Sequence, residues 1–330
     1  SYQFQTGTCT LRIVDETGDF NPQNTAGPYF GLLDPMRKLQ ITATYEGIEY
    51  PIFSGFITGY TTVTPLLVGD VVYTTITAVD AFRLAQNAQI ATVTGATAGN
   101  LSGTRINQIL DEIDWPAGEA RTSLAALQTC STSEYGAFYV DAAGSFVFQD
   151  RTVTAGSVAG TPVDFNDDGT GIRYANAVWV LNDVLIYNEA NVTRTGGTNA
   201  TSIAKYFIHS YNQQNLLMET DAEALDYARS YVASRKDTTV RCDAIVLDLD
   251  SENYNDGIIA GLGLDYFDPV TITTNQPGSS ALTKTLQIFG VAMTITPRDW
   301  RVTFTTLEPI LDGFILNTDY GILGTNVLSY

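Results

Sequence analysis

The chain has 330 residues, 36 acidic and 17 basic side chains, and a net charge of −19. That length predicts two to four packed units, and a hydrophobic fraction of 44% excludes wholesale disorder. The charge excludes a grip on nucleic acid, which takes a Lys/Arg stripe that no segment supplies; DNA passing without adhering is compatible with it.

Ser1-Tyr2-Gln3-Phe4 has neither the basic nor the apolar region of a signal peptide. It lacks an initiator Met and begins just ahead of a strand, so earlier residues are expected either to have been removed or to lie outside this sequence. No apolar run reaches the roughly eighteen residues that suggest a membrane-spanning helix. Residues 1–95 read as a first β-barrel-like module. In it, Cys9–Val14 alternates as a strand and Asp19–Pro28 is a long loop of turn-forming residues.

Residues 96–172 read as a helix–helix–hairpin α+β insert. Arg105–Ile113 places apolar residues at helical spacing and stops at Asp114-Trp115-Pro116. A second helix over Ser123–Ser133 buries Leu124 and Leu127, and Gly136–Phe148 forms a hairpin around Asp141–Gly144. Residues 173–250 read as a second α+β lobe with strands at Ala177–Val180, Ile186–Thr193 and Val240–Leu249. Its helix, near 221–235, opens on a capping box of Thr220 and Glu223, with Ala224, Leu225, Ala228, Tyr231 and Val232 as its apolar stripe. Residues 251–330 read as a second β-barrel-like module with a C-terminal hairpin punctuated by Gly321 and Gly324.

Two stretches read as copies of one β-unit. The first runs Asp34-Pro35, Leu39–Thr44, Phe53–Thr58 with Gly55, then Tyr73–Thr77; the second runs Asp268-Pro269, Val270–Thr273, Ile288–Thr294 with Gly290, then Arg301–Thr305. The expected fold class is therefore β-rich α+β, two related modules flanking inserted lobes. Near-equivalent surfaces from unequal sequence suit a part of an assembly better than an enzyme.

Motifs for chemistry are sparse. The single histidine, His209, has no cysteine near it for a zinc site and no Gly-x-Ser-x-Gly elbow to serve; it reads as a residue of a strand-to-helix connection. Cys9, Cys130 and Cys242 are isolated and read as buried free thiols. Asp111/Glu112, Asp167/Asp168 and Asp248–Asp250–Glu252 have the residue type of a glycosidase pair, but such pairs abound in an acidic chain and read as solvated charge. Asp164, Asn166, Asp168 and Gly169 copy the first half of a calcium loop, yet Ala175 stands where its bidentate Glu belongs; an Asx-rich turn explains them. No catalytic or cofactor-binding residue and no cofactor is expected.

One stretch, Gly7-Thr-Cys-Thr-Leu-Arg-Ile-Val-Asp15 leading through Phe20-Asn-Pro22 and Asn24 to Pro28-Tyr29, resembles the opening of minor tail proteins of long, non-contractile-tailed bacteriophages of actinobacteria. The resemblance continues in order through Pro35, Arg37, Ile41, Ala43 and Tyr45, Tyr139–Arg151, Asn188–Arg194, Thr220–Ala224 and Ile295–Trp300 to Gly321–Thr325. Members of that family usually carry some tens of residues ahead of the Gly7 strand. The resemblance implies a tail-tip hub similar to the baseplate hub of contractile-tailed phages: a homotrimer at the distal end of the tail tube. The partners it implies are a distal tail protein ring, the tape-measure protein and other minor tail or receptor-binding proteins. The competing expectations are a cell-wall-degrading tail-tip hydrolase and a receptor- or carbohydrate-binding tip protein.

Overall fold

A computed structural model describes residues 2–63, 71–88, 92–97, 99–112, 123–151, 161–192, 195–214, 216–218, 220–236, 239–250, 254–275, 278 and 280–308. The helix stop at Asp114–Pro116 and the terminal hairpin lie outside them.

Alternation of apolar and polar residues builds the first sheet. Strands β2 (Thr8–Val14), β3 (Lys38–Tyr45), β4 (Ile48–Val63) and β5 (Tyr73–Val79) pair antiparallel in the order β2-β5-β4-β3. Ile57, Ile76 and Ala78 are buried, whereas Leu11, Ile13, Leu39 and Tyr60 are only half-covered. A short β1 (Tyr2–Gln3) leaves this sheet and pairs parallel with β6 (Ala137–Val140), which with β7 (Phe146–Gln149) forms the expected hairpin. Helices α1 (Phe82–Asn87), α2 (Ser102–Glu112) and α3 (Ser123–Ser133) close over it around Phe82, Ile106, Ile109, Leu127 and Phe138.

The second sheet has six strands. Its centre is β13 (Arg241–Asp248), β14 (Pro269–Thr274), β15 (Leu282–Thr296) and β16 (Asp299–Leu307), flanked by β8 (Val163–Asn166) and β9 (Asn176–Val180), in the order β8-β14-β15-β16-β13-β9. Its inner face is sealed: Val270, Ile272, Leu286, Ile288, Val302 and Phe304 are wholly buried. Between β9 and β13 lies a lobe of β10 (Glu189–Val192), β11 (Thr195–Thr198) and β12 (Ser210–Gln213) with helices α4 (Ala200–Tyr206) and α5 (Asp221–Arg235). The capping box is present: Thr220 Oγ1 accepts from Glu223 N at 3.2 Å, and Glu223 reaches back to Thr220 N. Tyr227, not Leu225, completes the buried stripe of α5.

The internal copy is visible strand for strand. Order β2-β5-β4-β3 in one sheet matches β13-β16-β15-β14 in the other. At the entry to the meander, Met36 N donates to Ile57 O and Ile57 N to Arg37 O; Phe267 N donates to Ile288 O and Ile288 N to Asp268 O. Met36 and Phe267 both stand at φ 68, a conformation that bulky residues adopt only when their surroundings enforce it. A bulge follows in each copy, between Ile57 and Gly59 and between Ile288 and Gly290.

These features correct the alignment expected from sequence. The counterpart of Gly290 is Gly59 rather than Gly55, and Asp34 falls opposite Asp265, so the two Asp-Pro pairs do not superpose. Thr77 and Thr305 do correspond, each opposite its bulge glycine.

Candidate assembly surface

Residues singled out for chemistry scatter. Asp164 lies on β8 and its carbonyl accepts from Ile172 N; Asn166 Oδ1 caps Asp168 N at 2.9 Å, and Asp168 Oδ1 accepts from Thr170 N and Oγ1. The side-chain oxygens Asn166 Oδ1 and Asp168 Oδ1 are engaged in a turn, and Asp167 points away to accept from Asn275 N and Nδ2. Glu112 ends α2 and accepts from Thr94 N, while Asp248 faces Arg301 at 4.0 Å; Glu252 lies outside the described residues. His209 sits between α4 and β12, a helix-to-strand connection rather than the expected reverse, with Nε2 3.1 Å from Tyr206 O. Cys130 and Cys242 are buried and Cys9 half-buried; burial pushes the Cys130 thiol up to about 11, so it is no nucleophile at neutral pH. Among the described residues no three His, Cys, Asp or Glu side chains group as metal ligands.

The two sheets meet through a defined contact. The chain passes from β13 to β14 by helix α6 (Tyr254–Gly263), which packs with Ile258, Ala260 and Leu262 on the core of the second sheet. The tip of the β3–β4 hairpin lies against the same core through Ala43, Tyr45, Tyr50 and Ile52. Tyr45 Oη is 2.8 Å from Asn255 Oδ1 and donates to it. Gly261 permits the close approach of α6 to the sheet end, because a Cβ there would stand 2.6 Å from Leu249 Cδ2. Near the β1 end, Phe4 meets Tyr139, Tyr266, Phe267 and Phe289 at ring centroid distances of 4.9–5.9 Å. Burial raises the carboxyls of Asp265 and Asp268 beside this cluster, with nearby acids adding to the Asp265 shift.

In the first sheet the equivalent connection, from β2 to β3, is no helix but an arm over residues 15–37. Turns follow one another every third residue: Gly18 N to Asp15 O, Asn21 to Gly18, Asn24 to Asn21, Gly27 to Asn24 and Phe30 to Gly27. Asn24 Nδ2 donates to Gly18 O and the Asp15 carboxylate accepts from Phe20 N, so the arm has a fixed shape without regular structure. Phe20 meets Tyr29 in a tilted ring contact at 5.1 Å, but Tyr29, Phe30, Leu32 and Met36 stay exposed, Leu32 by 54% and Phe30 by 50%. The exposed faces of both sheets carry many threonines beside charged residues such as Arg12, Lys38 and Arg301, and pairs such as Thr58–Thr77 at 3.0 Å and Thr273–Thr283 at 3.0 Å tie the strands.

This fold is similar to those of solved tail proteins. The chain is similar to the 43 kDa tail protein of prophage MuSo2 from Shewanella oneidensis, with a TM-score of 0.56 and 10% identity over 93% of this chain and 91% of that one. It is also similar to the tail protein from Neisseria meningitidis MC58, with a TM-score of 0.55 and 9% identity over 82% of this chain and 83% of that one. No protein-family profile and no curated sequence matches the chain. What the likeness shows is the fold.

Proposed function

We propose that this chain is a structural protein of a bacteriophage virion tail, the tail-tip hub of a long non-contractile-tailed phage of an actinobacterial host. Three copies form a ring that closes the distal tail tube. The meanders Asp34–Thr77 and Asp268–Thr305 alternate around the axis, giving six similar modules that seat a three-fold tip on a six-fold tube. Residues 96–172 and 173–250 form outer lobes, the latter contributing β13 to the second module. The distal tail protein ring and the tape-measure protein abut the hub, further minor tail or receptor-binding proteins attach to it, and DNA passes without specific binding.

The observation that carries this reading is the duplicated meander, with the same strand order, the same φ at Met36 and Phe267 and the same bulge at Gly59 and Gly290. The tail-protein fold and the net charge of −19 support it, since the field of a strongly acidic chain repels phosphates. Gold-labelled antibody against the chain, applied to intact virions, is expected to mark the distal end of the tail. Label confined to the head or the length of the tube overturns the proposal. The hydrolase alternative requires the purified chain to release fragments from host peptidoglycan, and the hub reading expects none.

A further inference from the structure

Within one chain the second module receives a hairpin from the first: the β3–β4 tip, with Tyr45, Tyr50 and Ile52, lies on the core beside α6. The first module has the corresponding place, and among the described residues no hairpin lies in it. Its inner face leaves Leu11, Ile13, Leu39 and Tyr60 half-covered, where the matching face of the second module is sealed. Beside that face, in the chain position that α6 holds in the second module, stands the arm with Tyr29, Phe30 and Leu32 exposed.

The structure therefore assigns an occupant: we infer that the arm and the half-covered face of the first module receive the β14–β15 hairpin of a second copy of this chain. This inference rests on the ring reading above and specifies its contact. If modules alternate around a ring, each contact from a second module back to a first inside the chain has a counterpart between chains, in the same rotational sense. A head-to-tail contact of this kind uses two different surfaces, and the ring reading requires that its rotation close after three copies.

The donor side is suitable. Ala281 at the β14–β15 tip is exposed, and Thr283 and Thr285 lie on the open face. At the base of the hairpin Thr274 Oγ1 lies 2.6 Å from Tyr174 Oη and accepts from Trp179 Nε1 at 2.9 Å, two rings that also pack on the core of the second module. The arm supplies the rigid apolar partner surface. A long ordered connection without helix or strand is usually retained for such contacts.

The test is a full-length double variant, Leu32→Cys with Ala281→Cys, treated with a short flexible bis-maleimide and run on a denaturing gel, with the mass of the wild-type chain measured in solution in parallel. The expected result is a covalent ladder ending at three chains for the double variant, with neither single variant linked above the wild-type background from Cys9. Adding Phe30→Asp to the double variant should abolish the ladder. A trimer mass with no ladder overturns this contact and leaves the ring reading standing. Covalent dimers from either single variant show a two-fold contact and overturn it. A chain that stays monomeric and unlinked overturns the contact and the ring reading together.

Discussion

Asn188 is wholly buried, and its amide ties helix α4 to the loop after it: Nδ2 donates to Ser202 Oγ at 3.2 Å and to Phe207 O at 2.6 Å, and Oδ1 accepts from His209 N at 2.8 Å. That clamp holds Phe207 at φ 64 with 84% of its surface in solvent. Asn188→Ala leaves two backbone groups without their partner and should cost about 1–3 kcal/mol, measured by denaturant unfolding; a change within error would show that the clamp is not needed. Asp80 makes a pH prediction. Its carboxylate accepts from Gly7 N at 2.5 Å and Phe82 N at 2.9 Å, yet burial outweighs those bonds and raises its pKa from 3.8 to about 6. The folded chain thus binds this proton more tightly than the unfolded chain. The contribution is full below 3.8 and is lost as pH rises through about 6. Asp265 and Asp268 shift the same way, so the melting temperature should be higher at pH 5 than at pH 7.5. A melting temperature that rises over that interval would contradict this sign.

At the scale of elements, the glycines that sequence pairs as equivalents should behave differently. A Cβ on Gly55 would lie 2.3 Å from Val79 O, whereas one on Gly290 meets Thr305 Cβ at 3.3 Å. Gly55→Ala should therefore cost about 1–3 kcal/mol by thermal unfolding and Gly290→Ala clearly less; equal losses would contradict the corrected alignment. Much of the remaining fold was legible locally. The α3 span, the β6–β7 hairpin and the capping box of α5 are written in periodicity and side-chain chemistry that act over a few residues. Helix α6 was not legible, because Gly257, Gly261 and Gly263 argue against a helix and only packing against Leu249 explains Gly261. Nor was β1, two residues long and fixed by a distant hairpin, or α4, a seven-residue helix capped by Asn199 Oδ1 on Ser202 N. The repeat was read correctly in kind and misaligned in register, since its marks are backbone ones: a left-handed residue and a bulge that Met36 and Phe267 do not advertise.

For the whole molecule, duplication is the feature that gives the fold a use. The two sheets share one topology, and one is sealed within the chain while the other is half-covered beside an apolar arm. The enzymatic residue types present in the sequence are dispersed among turns, a helix end and a strand, and the assembly surface could not be seen before the sheets were placed. Sequence carried the candidate class through ordered resemblance, and the likeness to solved tail proteins at 9–10% identity shows a shared fold. The most direct test of the central claim is an averaged electron-microscopic reconstruction of the assembled tail tip. The account predicts three copies with six modules alternating at one radius around the axis; a different copy number, or the two modules at different radii, would contradict it.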